Sequence, residues 1–124
     1  NANHKAVADD VFNFMKEHTQ QYDVIVLDPP AFAKSIKSKH TATQAYKRLN
    51  IAGIKALAPN GILFTFSCSQ VIDDVLFYNT VAAAAIESGR NIRVLHKLGQ
   101  GPDHPTNIYH PEGHYLKGLV LFVE

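Results

Sequence analysis

Apolar positions along this chain come in short blocks, each cut off sharply by polar or turn-forming residues. Val24-Ile25-Val26-Leu27 runs straight into Asp28-Pro29-Pro30-Ala31-Phe32. An apolar run without polar alternation predicts a buried strand of a parallel sheet, here over Asp23 to Leu27. Ile62 to Phe66 repeats the pattern and ends at Ser67-Cys68-Ser69, and Leu116 to Val123 repeats it once more. Asn91 to Leu98 alternates in part, which predicts a strand nearer a sheet edge.

Helical spacing fills the gaps. Val7, Val11, Phe12 and Met15 share one helical face, with Asp9 and Asp10 suited to the helix start. A second helix is predicted over Thr43 to Leu57, with Tyr46, Leu49, Ile54 and Leu57 inward. Pro59-Asn60-Gly61 stops it and turns the chain. A third is predicted over Val71 to Glu87, burying Val71, Val75, Val81, Ala82, Ala85 and Ile86, with Gly89 as its stop. The order helix, strand, helix, strand, helix, strand, strand implies an α/β fold. Its strands are parallel and joined by right-handed helical crossovers, and the last strand is antiparallel because no helix precedes it. Asn1 and Ala2 read as a remnant ahead of the domain. Lys34 to His40 and Gly99 to Tyr115 read as loops, the second holding Pro102, Pro105 and Pro111 with His104, His110 and His114.

Composition narrows the class. The chain has 124 residues, enough for one compact domain. At 46% hydrophobic residues it builds a core rather than a disordered tail, yet no run approaches the roughly 20 apolar residues of a membrane helix. A single cysteine excludes an internal disulfide framework and suits a reduced, cytoplasmic setting. Net charge is only +1, so a nucleic-acid partner has to be sought in local clusters. Lys34, Lys37, Lys39, His40, Lys47 and Arg48 form one beside the Asp28 loop. It suits a phosphate backbone, or is simply a solvated face.

The candidate chemistry gathers at two strand ends. Asp28 and Cys68 each follow a strand, and one crossover helix joins those strands. Carboxylate and thiol are therefore expected to face one crevice at the carboxyl edge of the sheet, where such folds bind ligands. Cys68 also precedes a predicted helix, and helix starts favour thiolates. A thiolate beside a positioned acid is a plausible covalent catalyst; the plain alternative is a buried inert cysteine. Pro29 and Pro30 fix their own φ and stiffen the loop. Phe32 can stack on a base or pack as a lid. The late-loop histidines fit no standard metal spacing, and no metal is expected. No Gly-rich turn follows a first strand, so the cradle that usually holds a nucleoside cofactor is missing.

Taken together the motifs resemble a known family. They are Asp28-Pro29-Pro30-Ala31-Phe32-Ala33-Lys34-Ser35, Tyr46-Lys47-Arg48-Leu49-Asn50, Pro59-Asn60-Gly61, Thr65-Phe66-Ser67-Cys68-Ser69, Asp103-His104-Pro105 and Tyr115-Leu116-Lys117-Gly118-Leu119. The family is the S-adenosylmethionine-dependent 23S ribosomal RNA cytosine-5 methyltransferases that carry a PUA domain. The resemblance implies the carboxyl-terminal half of the catalytic domain only. It implies a partial class I methyltransferase (Rossmann-like) sheet of three parallel strands plus a C-terminal antiparallel strand, with helices on both faces. It assigns the nucleophile to Cys68 and support of the base to Asp28. Asp10, Asp28 and Pro29 would meet S-adenosyl-L-methionine; Asp9 is a neighbouring candidate for the Asp10 role. Pro30, Phe32, Lys34, Lys47 and Ser67 would meet ribosomal RNA. Related enzymes place a second cysteine after the two prolines; here Ala31 stands there, which leaves the releasing base open. Two other readings stay in view: methylation of a purine nitrogen, which needs no cysteine, and a non-catalytic RNA-binding module. A half-domain leaves the Asp23 to Leu27 strand bare on one side, so a homodimer through that edge is expected.

Overall fold

The computed structural model describes residues 2–124; Asn1, read above as part of a leading remnant, lies outside the described residues. Helix α1 covers Val11–Lys16 and strand β1 Tyr22–Leu27. Helix α2 (Lys39–Ala56), strand β2 (Leu57–Ser67) and helix α3 (Asp74–Ser88) follow. Strands β3 (Ile92–Leu98) and β4 (Lys117–Val123) complete the fold. Helix starts obey capping chemistry: Asp10 accepts from the Asn13 N–H at 3.0 Å, and Asp73 accepts from Leu76 N–H at 2.7 Å. Gly89 ends α3 with φ 69, the left-handed turn that favours glycine.

The sheet order is β1-β2-β4-β3. Only β1 and β2 pair in parallel; β4 lies between β2 and β3 and pairs antiparallel with both, so the three strands expected to be parallel share a direction without all being neighbours. The reason lies in composition. β4 reads Lys-Gly-Leu-Val-Leu-Phe-Val and is buried almost throughout, whereas β3 carries Arg93, His96 and Lys97 and is exposed beyond Ile92. The apolar strand takes the middle and the charged one the edge, as expected for edge strands. On the far side β1 has no partner strand along its outer edge among the described residues. Between the pairs Tyr22–Leu57 and Val24–Ile62, residues Ala58 to Gly61 bulge out, with Asn60 at φ 66. This is the turn read at Pro59-Asn60-Gly61, inserted into the start of a strand.

Helices on both faces were also expected, and here too the structure differs. One core joins Met15 of α1, Leu49 and Ile54 of α2, and Phe77 and Val81 of α3 to Leu27, Leu63 and Leu121 of the sheet. All three helices therefore cover the same face. Both crossovers advance across the sheet in one direction, and right-handedness then puts both helices on one side. The other face stays open: Val24 and Val26 are 55% and 61% exposed, so β1 is buried on one face only. Gly53 lets α2 press onto the end of β1, since a Cβ there would lie 2.8 Å from Leu27 Cδ1. In α3 the buried residues are Phe77, Thr80, Val81 and Ala84, while Val75 and Ile86 point outward. The helix is apolar almost all round, so its inward phase could not be read from spacing.

Two polar details of the core have energetic consequences. The Arg90 guanidinium donates to the carbonyls of Ile54 (2.7 Å), Leu57 (2.6 Å), Ala58 (3.2 Å) and Glu124 (3.1 Å), stitching the end of α2 to the start of β2 and the chain end. Tyr46 Oη, Asn50 Oδ1 and Thr65 Oγ1 are buried without a hydrogen-bond partner among the described residues. An orphaned buried hydroxyl costs on the order of 1–3 kcal/mol. Thr65→Val keeps the shape and removes the hydroxyl, so it should raise stability by about 1 kcal/mol in urea unfolding. A lowered midpoint would show that the hydroxyl has a partner after all.

Candidate functional site

Three connections emerge at one edge of the sheet: the loop after β1, the loop after β2, and the return from β3 to β4. The last does so because β4 runs antiparallel, so Gly99 to Leu116 leaves and re-enters at the same end. Ser69 Oγ donates to Ala33 O at 2.7 Å, and Cys68 Sγ lies 4.0 Å from Pro29 O, aimed as a donor. These contacts lock the turn bearing Cys68 against the turn bearing Asp28-Pro29-Pro30. Gln70 Nε2 donates to Glu112 O at 3.2 Å and draws the third loop in.

Asp28, Pro29, Pro30 and Phe32 line an open cleft of about 550 Å³, together with Asp9 and Asp10. Its floor is apolar, formed by Leu27 and Leu49, and its rim holds three carboxylates. Such a space can seat a flat ring on the floor while the rim accepts from amines and hydroxyls. Phe32 packs edge-on against Tyr46, with ring centroids 4.7 Å apart, so it is a wall braced from beneath. Asp10 serves the cleft and the α1 cap at once, and Asp9 accepts from the Asp10 N–H at 2.7 Å. Cys68 does not line this cleft. It is half-buried, with its sulfur 4.0 Å from Pro29 O. Cys68 thus meets the proline loop at Pro29 rather than along the cleft itself.

The remaining site candidates separate. Lys34 is exposed beside the cleft loop. Lys47 turns to α3 and pairs with Glu87 at 2.6 Å, and that bond holds the Glu87 carboxyl below its usual range. Ser67 is wholly buried, and its hydroxyl accepts from the Ser69 N–H at 3.4 Å. The late-loop histidines are paired singly with carboxylates: His104 with Asp103, His110 with Glu112 and His114 with Asp74. That loop is organised by Gln100, whose amide donates to His104 O and Gly113 O and accepts from Tyr115 and Leu116.

Lys117 is the residue that spacing did not single out. Only 3% exposed, it donates from Nζ to Ser69 O at 2.5 Å and to Tyr115 O at 2.7 Å. Burial pushes its ammonium down from the ordinary lysine value, while Asp74, Cys68 and Asp73 each pull it back up. The available signal was a lysine opening an otherwise uncharged, fully apolar strand.

The fold is one that solved α/β methyltransferases share. The chain superposes on SMU.776, a candidate methyltransferase solved with SAH, at a TM-score of 0.80 and 24% identity, covering 98% of this chain and 32% of that one. No protein-family model matches the chain. Its sequence is similar to ribosomal RNA large subunit methyltransferase I. Identity is 43% over 123 residues with the protein of Aeromonas hydrophila, covering 97% of this chain and 31% of that protein. With that of Pseudoalteromonas atlantica it is 42% over 117 residues, covering 92% and 30%. The chain thus spans about a third of the length of the curated relatives it matches.

Proposed function

We propose that this chain is the carboxyl-terminal half of the catalytic domain of an S-adenosyl-L-methionine-dependent ribosomal RNA methyltransferase, acting on cytosine C5 through Cys68. One observation carries the reading: the Cys68 turn is bonded to the Asp28-Pro29-Pro30 turn at the ends of adjacent parallel strands. The likeness to the large-subunit enzymes over nearly the whole chain supports ribosomal RNA as substrate.

The residues fit the cofactor. Asp10 and Asp28 offer carboxylates to its amine and hydroxyl groups, and Pro29 with the apolar floor offers a surface to its ring. S-adenosyl-L-methionine, when bound, supplies an electrophilic methyl group. Cytosine C5 is a weak nucleophile, and Cys68 corrects that. Its sulfur bonds to C6, the C5–C6 π electrons move so that C5 becomes enamine-like, and Asp28 supports the ring near N3. After methylation the C5 proton leaves, its electrons reform the C5–C6 bond, and the C6–S bond breaks to free the thiolate. With Ala31 in place of a second cysteine, that proton goes to another group.

Cytosine fluorinated at C5 has no proton there to lose, so the adduct should persist. RNA carrying 5-fluorocytosine, incubated with cofactor and a protein of the relatives' length containing this chain, should yield a complex that survives denaturation. Mass spectrometry should place the link on the Cys68 peptide. Turnover without any trapped complex rules out the covalent route. It would leave nitrogen methylation, a reading favoured by the position of Cys68 outside the cleft that Asp28 lines.

A further inference from the structure

A buried ammonium without a carboxylate partner is costly and needs a reason. Lys117 is such a group. It makes no ion pair within 4 Å among the described residues, and its two hydrogen bonds go to neutral carbonyls. An ammonium has three donors, so one N–H is left without an acceptor among the described residues. Its position is set by the sheet, because Lys117 pairs in register with Ser67, the residue before Cys68. Its bond to Ser69 O grips the residue after Cys68. The thiol therefore sits on a backbone held on both sides by one residue of the neighbouring strand.

We propose that Lys117 is the positioning residue of Cys68: it fixes the backbone that carries the thiol and supplies the positive charge beside which the sulfur reacts. This rests on the reading of Cys68 as the nucleophile. A fixed cation beside a thiol favours attack by its anionic form, because the charge is already in place when the bond forms. From the lysine side, Cys68 acts to keep the proton on, against the larger opposing effect of burial. Asp74 of α3 and its N-cap Asp73 act in the same sense. His114 holds Asp74 at 3.0 Å, and Lys97 lines the same hollow as Lys117. A purely structural lysine would tie β4 to the Ser69 turn and leave the sulfur's reactivity alone.

Cys68 is the chain's single cysteine, so thiol alkylation reports on it directly. Lys117→Met should slow alkylation by iodoacetamide at neutral pH by about tenfold, the size of one close charge in a partly buried setting. Lys117→Arg should restore most of the rate. Melting curves recorded alongside identify the folded variants, and a folded Lys117→Met reacting at the unmodified rate overturns the proposal. Should Lys117→Met not fold, Cys68→Ser decides. The Lys117 amine, followed by nitrogen NMR as pH rises, should lose its proton at lower pH in that variant than in the original chain. Identical titrations overturn the proposal. Neither assay uses RNA or cofactor, so failure to methylate would sink the proposed function and leave this pairing standing, and the converse also holds.

Discussion

Cys68→Ser is expected to abolish product formation, with a loss of roughly 10⁴-fold or more in turnover, because a hydroxyl is a far poorer attacking group than a thiolate. The check is 5-methylcytosine counted by mass spectrometry in RNA treated with a protein of the relatives' length. Binding of S-adenosyl-L-methionine, measured by calorimetry, should be unchanged, since Cys68 does not line the carboxylate-rimmed cleft. That split separates three readings. Loss of product with intact cofactor binding supports the covalent route. Retained methylation supports direct transfer to a nitrogen. No binding and no product from the unsubstituted protein points to an RNA-binding module.

The second large effect concerns stability. Arg90→Met removes a cation that donates to four backbone carbonyls of three segments. Three of those carbonyls lie at the α2–β2 junction, where a helix ends and its last carbonyls must find donors outside the helix. Hydrogen bonds from a charged donor to such groups are among the stronger ones, and carbonyls left bare lose more than the bond. The variant should lose about 3 kcal/mol or more, a fall in melting temperature of roughly 10 °C or beyond for a domain of this size. Arg90→Lys should recover only part of this, because a single ammonium cannot span the same fork of acceptors. A melting point unmoved by Arg90→Met would show that water satisfies the junction equally well.

What the chain disclosed in advance was local. The apolar run before Asp28 and the two prolines after it announced both a strand and the loop that lines the cleft at its end. Tyr46, Leu49 and Ile54 announced the inward face of α2, and all three are buried. The features that stayed hidden depend on residues far apart. Nothing near Leu116 to Val123 says that this strand inserts between β2 and β3, because that choice is made by comparing its apolarity with the charges of β3. The phase of α3 was lost because Val75 and Ile86 are as apolar as the Phe77 and Val81 that face inward. Arg90 follows a helix-stopping glycine and looks like an ordinary surface cation until β2 and the chain end close around it. Lys117 belonged to a recognisable motif, but its grip on Ser69 crosses 48 positions and exists only once β4 is seated.

The insertion of β4 also dictates an order of assembly. During synthesis β3 leaves the ribosome before β4, yet it has no neighbour in the sheet until β4 has slotted in beside β2. The earlier part of the fold can form by short-range helix–strand contacts, but β3 and β4 must dock as one event once β4 is available. Pairings of such long sequence separation close slowly. Until they do, the turn carrying Cys68 waits for the lysine that clamps it, so the candidate catalytic edge is the last region of the molecule to mature.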